Sequence, residues 1–207
     1  MNHWRTRTVA LTSAVAIGVA LAAGLIAGSG RVPVPPPAPT VRAALSVEDQ
    51  VDIYASILAE LARATPLSAT TTTRAILVSR TILDTCLLPR GVPCRRHDVG
   101  RMAPELERSL REALDRLDVE AIFVDDTPVE SMPAVLDAHN NFIDEMYVMH
   151  EIVFDSTGVL AADGDTHQGC LFDGKKFRFG YGDGERFRFS RVNGRWRQIG
   201  TTLLWIT

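Results

Sequence analysis

Near the end of this 207-residue chain, cations recur at alternating positions: Lys176, Arg178, Arg186, Arg188, Arg195 and Arg197. In an extended strand, residues two apart share a face, so these six would line one side of a sheet while Phe177, Phe179, Phe187, Phe189 and Trp196 line the other. Such a row could hold an anionic partner through charge-assisted hydrogen bonds. An Asn193-Gly194 type I′ turn would set Val192 opposite Arg195, Arg191 opposite Trp196, Ser190 opposite Arg197 and Phe189 opposite Gln198. If Gly182-Asp183-Gly184 is a three-residue loop, Arg178 faces Arg188, a like-charge pair that a bound anion would relieve. The competing reading is an ordinary solvated sheet face, neutralised by acids from elsewhere in the chain.

A second group, Asp163, Asp165 and His167 with Cys170 behind it, offers metal-ligand types, but no Glu completes a twelve-position calcium loop. The run reads more simply as a Gly/Asp turn between strands, with Cys170 as a small buried side chain. His150 and Glu151 fall in an expected strand and therefore point to opposite faces. Ser131, Asp137, His139, Asp144 and Glu145 supply nucleophile, base and acid types in a segment broken by Pro128 and Pro133, without a recognisable spacing. Cys86 and Cys94 flank LPRG-type turn residues, and a disulfide is expected between them in an oxidising compartment. No phosphate loop, metal-ligand spacing or nucleophile elbow is present, so no cofactor and no metal are expected.

These side chains depend on elements that the hydrophobic pattern outlines. Ser46 is placed to cap a helix running to Ala64, with Val47, Val51, Tyr54, Leu58 and Leu61 on one face. Pro104 opens a second helix reaching Leu117, with Leu106, Leu110, Ala113, Leu114 and Leu117 on one face. Short strands are expected at Ala75 to Val78 and Ala121 to Val124, and a short helix at Ala134 to Ala138. Strands follow at Tyr147 to Phe154, Val159 to Ala162, Lys176 to Tyr181, Glu185 to Val192 and Trp196 to Ile206. The expected fold is α+β: an N-terminal transmembrane helix, then one domain with two main helices and a C-terminal antiparallel sheet.

The location of that domain is read from Thr8 to Gly30, which carries no charge and would span ~34 Å as a helix, enough for a hydrocarbon core of ~30 Å. Arg5 and Arg7 precede it and no acid occurs in the first 43 residues, which places the N-terminus in the cytoplasm and the rest outside. A cleavable signal peptide is the competing reading, with Ala20-Leu21-Ala22 and Gly28-Ser29-Gly30 as possible cleavage sites. Residues 1–30 are thus read as a signal anchor, 31–44 as a proline-rich spacer, and 45–207 as the extracytoplasmic domain. Residues 44–207 hold 18 basic and 25 acidic side chains, a balance of −7. The compartment and the lack of a reading motif make nucleic acid an unexpected partner.

Basic residues other than Lys175 and Lys176 are all arginine. The layout, with Tyr54-Ala55-Ser56-Ile57-Leu58 opening the domain and Asn193-Gly194-Arg195-Trp196 through Trp205-Ile206-Thr207 closing it, resembles uncharacterised exported or membrane-anchored proteins of actinobacteria. The resemblance implies a cell-envelope location and no particular activity. The expectation is an interaction or accessory domain held on a membrane, with an anionic envelope component as partner. The alternative is an envelope hydrolase or a small-ligand binder, its pocket between the sheet and the Ser46 to Ala64 helix.

Overall fold

The computed structural model describes residues 41–64, 74–85, 98–125, 131–155, 157–171 and 174–206. All of them belong to one compact unit spanning Pro37–Thr207. The expected membrane helix, most of the proline spacer and both Cys86 and Cys94 lie outside the described residues. Within the described residues, no helix is long and apolar enough to cross a membrane.

In chain order the elements are β1 (Val41–Arg42), α1 (Val47–Ala64), β2 (Arg74–Ser79), β3 (Thr81–Leu83), β4 (Asp98–Arg101), α2 (Pro104–Asp115), β5 (Val119–Val124), β6 (Ser131–Pro133), β7 (Val135–Leu136), β8 (Phe142–Ile143), β9 (Glu145–Met149), β10 (Val153–Phe154), β11 (Leu160–Leu171), β12 (Lys176–Val192) and β13 (Arg195–Ile206).

The expected α+β division, with helices preceding a purely antiparallel C-terminal sheet, does not hold. The described residues are 56% strand and 22% helix, organised on a curled mixed sheet. Nine strands join it, running β1-β10-β11-β9-β2-β5, with β12 beside β11, and β13 and β6 beside β12. Its mixed character arises at β9, which runs parallel to β2 on one edge and antiparallel to β11 on the other. β2 and β5 are themselves parallel, Leu77 lying opposite Ile122. The first-half strands are therefore part of the same sheet as the last three.

Misread turns account for much of the difference. Glycine and aspartate ordinarily punctuate strands, yet Asp163 to Asp165 and Gly182 to Gly184 lie inside the long, mutually paired strands β11 and β12, Asp165 opposite Gly184. The expected loop at Gly182-Asp183-Gly184 is absent, and the two strands drawn on either side of it are one. The expected helix at Ala134 to Ala138 is instead β7, paired antiparallel with β8. The turn at Asn193-Gly194 forms as expected: both residues have positive φ, 52° and 79°, and all four cross-strand pairs derived from it are present.

Both faces of the central strands are covered. On one face α1 and α2 pack their apolar stripes against Ile76, Val78, Tyr147, Phe187 and Phe189. On the other, Leu77, Met132, Ile143, Met146 and Phe177 form a smaller core. Ile76, Leu77 and Val78 are successive residues, all at 2% exposure or less, so the continuous apolar run of β2 reflects burial on both sides. Ser46 accepts the Asp49 backbone N–H at 3.1 Å and caps α1 as its sequence implies. Gly164 of β11 lets α1 sit close, since a Cβ there would stand 3.2 Å from Ile57 and 3.3 Å from Leu61.

Candidate functional site

The six cations singled out by alternation do not share one face. Gly180 is an extra residue on β12, where the register with β11 shifts between Gln168 and Gly169. A bulge of this kind exchanges inward and outward positions along the strand. Phe177 accordingly packs in the second core, edge-on to Phe142 at 6.0 Å, whereas Phe187 and Phe189 lie in the first. Arg178 stands opposite Cys170 and Ser131, and Arg188 opposite Ala161 and Gly200, so the like-charge pair expected between them is not formed.

Carboxylates of the chain itself engage Arg186 and Arg188. Arg186 makes a two-pronged contact with Asp163, Nε to Oδ1 at 2.8 Å and Nη2 to Oδ2 at 3.0 Å, with Asp163 fully buried. Arg188 reaches Asp155 at 2.8 Å and Thr157 at 3.0 Å. Burial alone would raise the Asp155 carboxyl, but the Thr157 hydroxyl, the Thr157 and Val159 N–H groups and Arg188 together hold it below the usual carboxylate range. Lys176, Arg178, Arg195 and Arg197 are exposed. Arg195 borders an open cleft of about 580 Å³, lined also by Glu48, Asp52, Arg116 and Arg191.

Asp163, Asp165 and His167 sit at alternate positions of β11 and have separate partners. His167 lies beside Trp205, ring centroids 5.8 Å apart. Asp165 is buried with its Oδ2 3.2 Å from Nε2 of His150, itself fully buried. The other ring nitrogen, Nδ1, stands 2.8 Å from the Asp84 carbonyl, which fixes a proton on Nδ1 because a carbonyl only accepts. Nothing in the spacing of His150 and Asp165 announces this couple; it follows from β9 pairing with β11. Among the described residues no three His, Cys, Asp or Glu side chains are grouped to hold a metal ion. His150 and Glu151 fall between β9 and β10 and not inside the strand expected from Tyr147 to Phe154; Glu151 turns to Arg42 at 2.7 Å.

The remaining acid and base types are dispersed. Asp137 organises an exposed turn, accepting from the N–H groups of His139 and Asn141 at 2.8 Å each. Glu145 is buried, accepting from the Tyr147 hydroxyl at 2.7 Å and from Gln168. Ser131 belongs to β6 beside Arg178.

A groove of about 220 Å³ opens at the start of α1, bounded by β1, the paired strands β3 and β4 and the stretch after His150. Leu45, Ile82, Val99 and Ile152 form its apolar walls, and Arg42 and Arg101 stand at its edge. The exposure of the two arginine side chains, 69% and 64%, leaves both guanidiniums open to solvent. Each is steadied by one carboxylate: Arg42 Nε by Glu151 at 2.7 Å, Arg101 Nη2 by Asp125 at 3.3 Å. Tyr54 also lines the groove and donates its hydroxyl to the His150 carbonyl at 2.9 Å, linking groove and buried couple. Burial, together with the Glu151 charge, pushes the Tyr54 phenol far above its ordinary value, so it remains a neutral donor. The pocket expected between the sheet and the Ser46 to Ala64 helix takes another form: the groove lies between the start of that helix, β1, Glu151–Ile152 and the separate β3–β4 pair.

The curled mixed sheet with a groove at its helical edge defines a class of architecture with room for a ligand. Comparison of the chain with protein-family models, curated proteins and solved structures gives no match.

Proposed function

We propose that residues 45–207 are the extracytoplasmic, ligand-binding part of a membrane-tethered cell-envelope protein, with the groove at the start of α1 as the binding site. The observation that carries this reading is the groove itself, where Leu45, Ile82, Val99 and Ile152 offer an aliphatic surface beside two exposed guanidiniums. Its volume, about 220 Å³, corresponds to roughly seven waters, room for a ligand of about that many heavy atoms or for one large side chain. Binding is favoured over hydrolysis because the His–Asp couple is buried at 0% and 4% side-chain exposure, while Glu151, the groove's carboxylate, is held by Arg42.

The tether belongs to the same reading. The uncharged Thr8 to Gly30 stretch and the prolines after it supply an anchor and a spacer. An oxidising compartment would also allow Cys86 and Cys94 to pair, which a mass shift on reduction would reveal.

The test uses 1-hexanol, an uncharged probe of matching size, added to the full chain in mild detergent micelles and followed by saturation-transfer NMR. Saturable transfer that disappears in Val99→Trp, where an indole fills the groove, supports the reading. Equal transfer in wild type and variant overturns it.

A further inference from the structure

The groove's chemistry goes further than its shape. We infer that its ligand is a short aliphatic chain ending in an anionic headgroup, a carboxylate or a phosphate monoester; this rests on the binding reading above.

The walls set the body of the ligand. Ile152 is 7% exposed and belongs to the main core, and Leu45 and Ile82 pack against that core, so the apolar surface is fixed in place and needs no rearrangement to receive an alkyl chain. The polar groups within the groove are largely committed: Tyr54 to the His150 carbonyl, Gln50 to the Leu45 carbonyl at 3.3 Å, and Glu151 to Arg42.

The edge sets the head. A guanidinium presents five N–H donors in a planar fork. Arg42 directs Nε at Glu151 and Arg101 directs Nη2 at Asp125; among the described residues the other donors of both side chains have no protein partner. Each arginine thus lies within ion-pair distance of one carboxylate and keeps its other donors available to a ligand. Planar, two-pronged recognition of carboxylate or phosphate is what an arginine so held does best, and an ammonium ligand would meet repulsion from both.

Four probes sharing one six-carbon chain separate the possibilities: hexanoate, hexyl phosphate, 1-hexanol and hexylamine. Affinities are measured by saturation-transfer titration on the full chain in nonionic micelles at ~50 mM salt, with Arg42→Gln and Arg101→Gln alongside wild type. The expected result is that one or both anions bind at least about tenfold tighter than hexanol, with hexylamine weakest, and that each Gln variant lowers anion affinity about three- to tenfold while leaving hexanol within about twofold. Which anion binds tighter tells whether the head is a carboxylate or a phosphate. If hexanol and the anions bind equally, the groove is a site but its ligand is not anionic, and the inference fails alone. If no probe binds, or Val99→Trp changes none of them, the binding reading fails with it.

Discussion

Trp205 of β13 lies across Gly184 of β12, so close that a Cβ on Gly184 would overlap the indole nitrogen and stand 2.6 Å from Oδ1 of Asp165. Gly182, two residues earlier, would place a Cβ 3.3 Å from the far edge of the same indole. The two glycines share a strand face and form a trough that one aromatic ring fills, reaching β11 from two strands away. The Gly-Asp-Gly triplet therefore serves contact between side chains, and no turn is involved.

Gly184→Ala is expected to displace Trp205, with a red-shifted tryptophan emission and a loss of about 1–3 kcal/mol in unfolding free energy by overpacking. Combining it with Trp205→Ala should cost less than the sum of the single changes, because the clash is removed with the ring. Equilibrium urea unfolding of the four proteins of the cycle checks both points, and strict additivity would refute the contact.

The buried couple gives a second expectation. Asp165→Ala removes the carboxylate that faces Nε2 of His150 in a buried site, and leaving a buried polar group without its partner costs about 1–3 kcal/mol. Asp125→Ala, at an exposed ion pair with a side chain 60% accessible, should cost less than about 1 kcal/mol. Denaturant midpoints compare the two directly, and near-equal losses would argue against the buried pairing.

Sheet registry was legible where a turn had one physical solution and illegible where glycine had two. Asn193-Gly194 tolerates left-handed backbone at both positions and fixed its four pairs correctly. Gly182 and Gly184 carry the same local signal, but their reason for being glycine is Trp205, about twenty residues away in sequence. Gly180 adds a bulge that reverses which face each later side chain occupies, which is why Phe177 left the aromatic group with Phe187 and Phe189. The capping Ser46 and the Leu106, Leu110 and Leu114 stripe were readable because helix signals are local. The parallel pairing of β2 with β5 and β9, the His150–Asp165 couple and the groove walls depend on contacts distant in sequence, which one chain's pattern does not encode visibly.

Acid sensitivity should arise in part from Glu107 of α2. Its hydrogen bond to Arg80, with the Arg80 and Arg111 charges, holds the carboxyl below its ordinary value of 4.5 in the folded state. A depressed folded value stabilises the fold above the unfolded value and loses that contribution as pH falls through the folded one. The loss should thus begin near pH 4.5 and grow on further acidification. Glu107→Gln is expected to be less stable than wild type at pH 7, with the gap closing at low pH; a gap independent of pH would contradict the pairing.

The Asn193-Gly194 turn offers a local check. Gly194 sits at φ 79°, a region costly for any residue with a Cβ, so Gly194→Val should lose about 1–2 kcal/mol. Its thermal midpoint relative to wild type measures this, and an unchanged midpoint would mean the turn is not held in this form.

The central claim, that the groove at the start of α1 is a binding site, is tested most directly by methyl-resolved NMR of the full chain titrated with hexanoate. Saturable shifts are expected, concentrated on the methyl groups of Leu45, Ile82, Val99 and Ile152 and absent from distant Leu110 and Leu114. Shifts that are missing, or that spread without saturation over unrelated methyls, would contradict it.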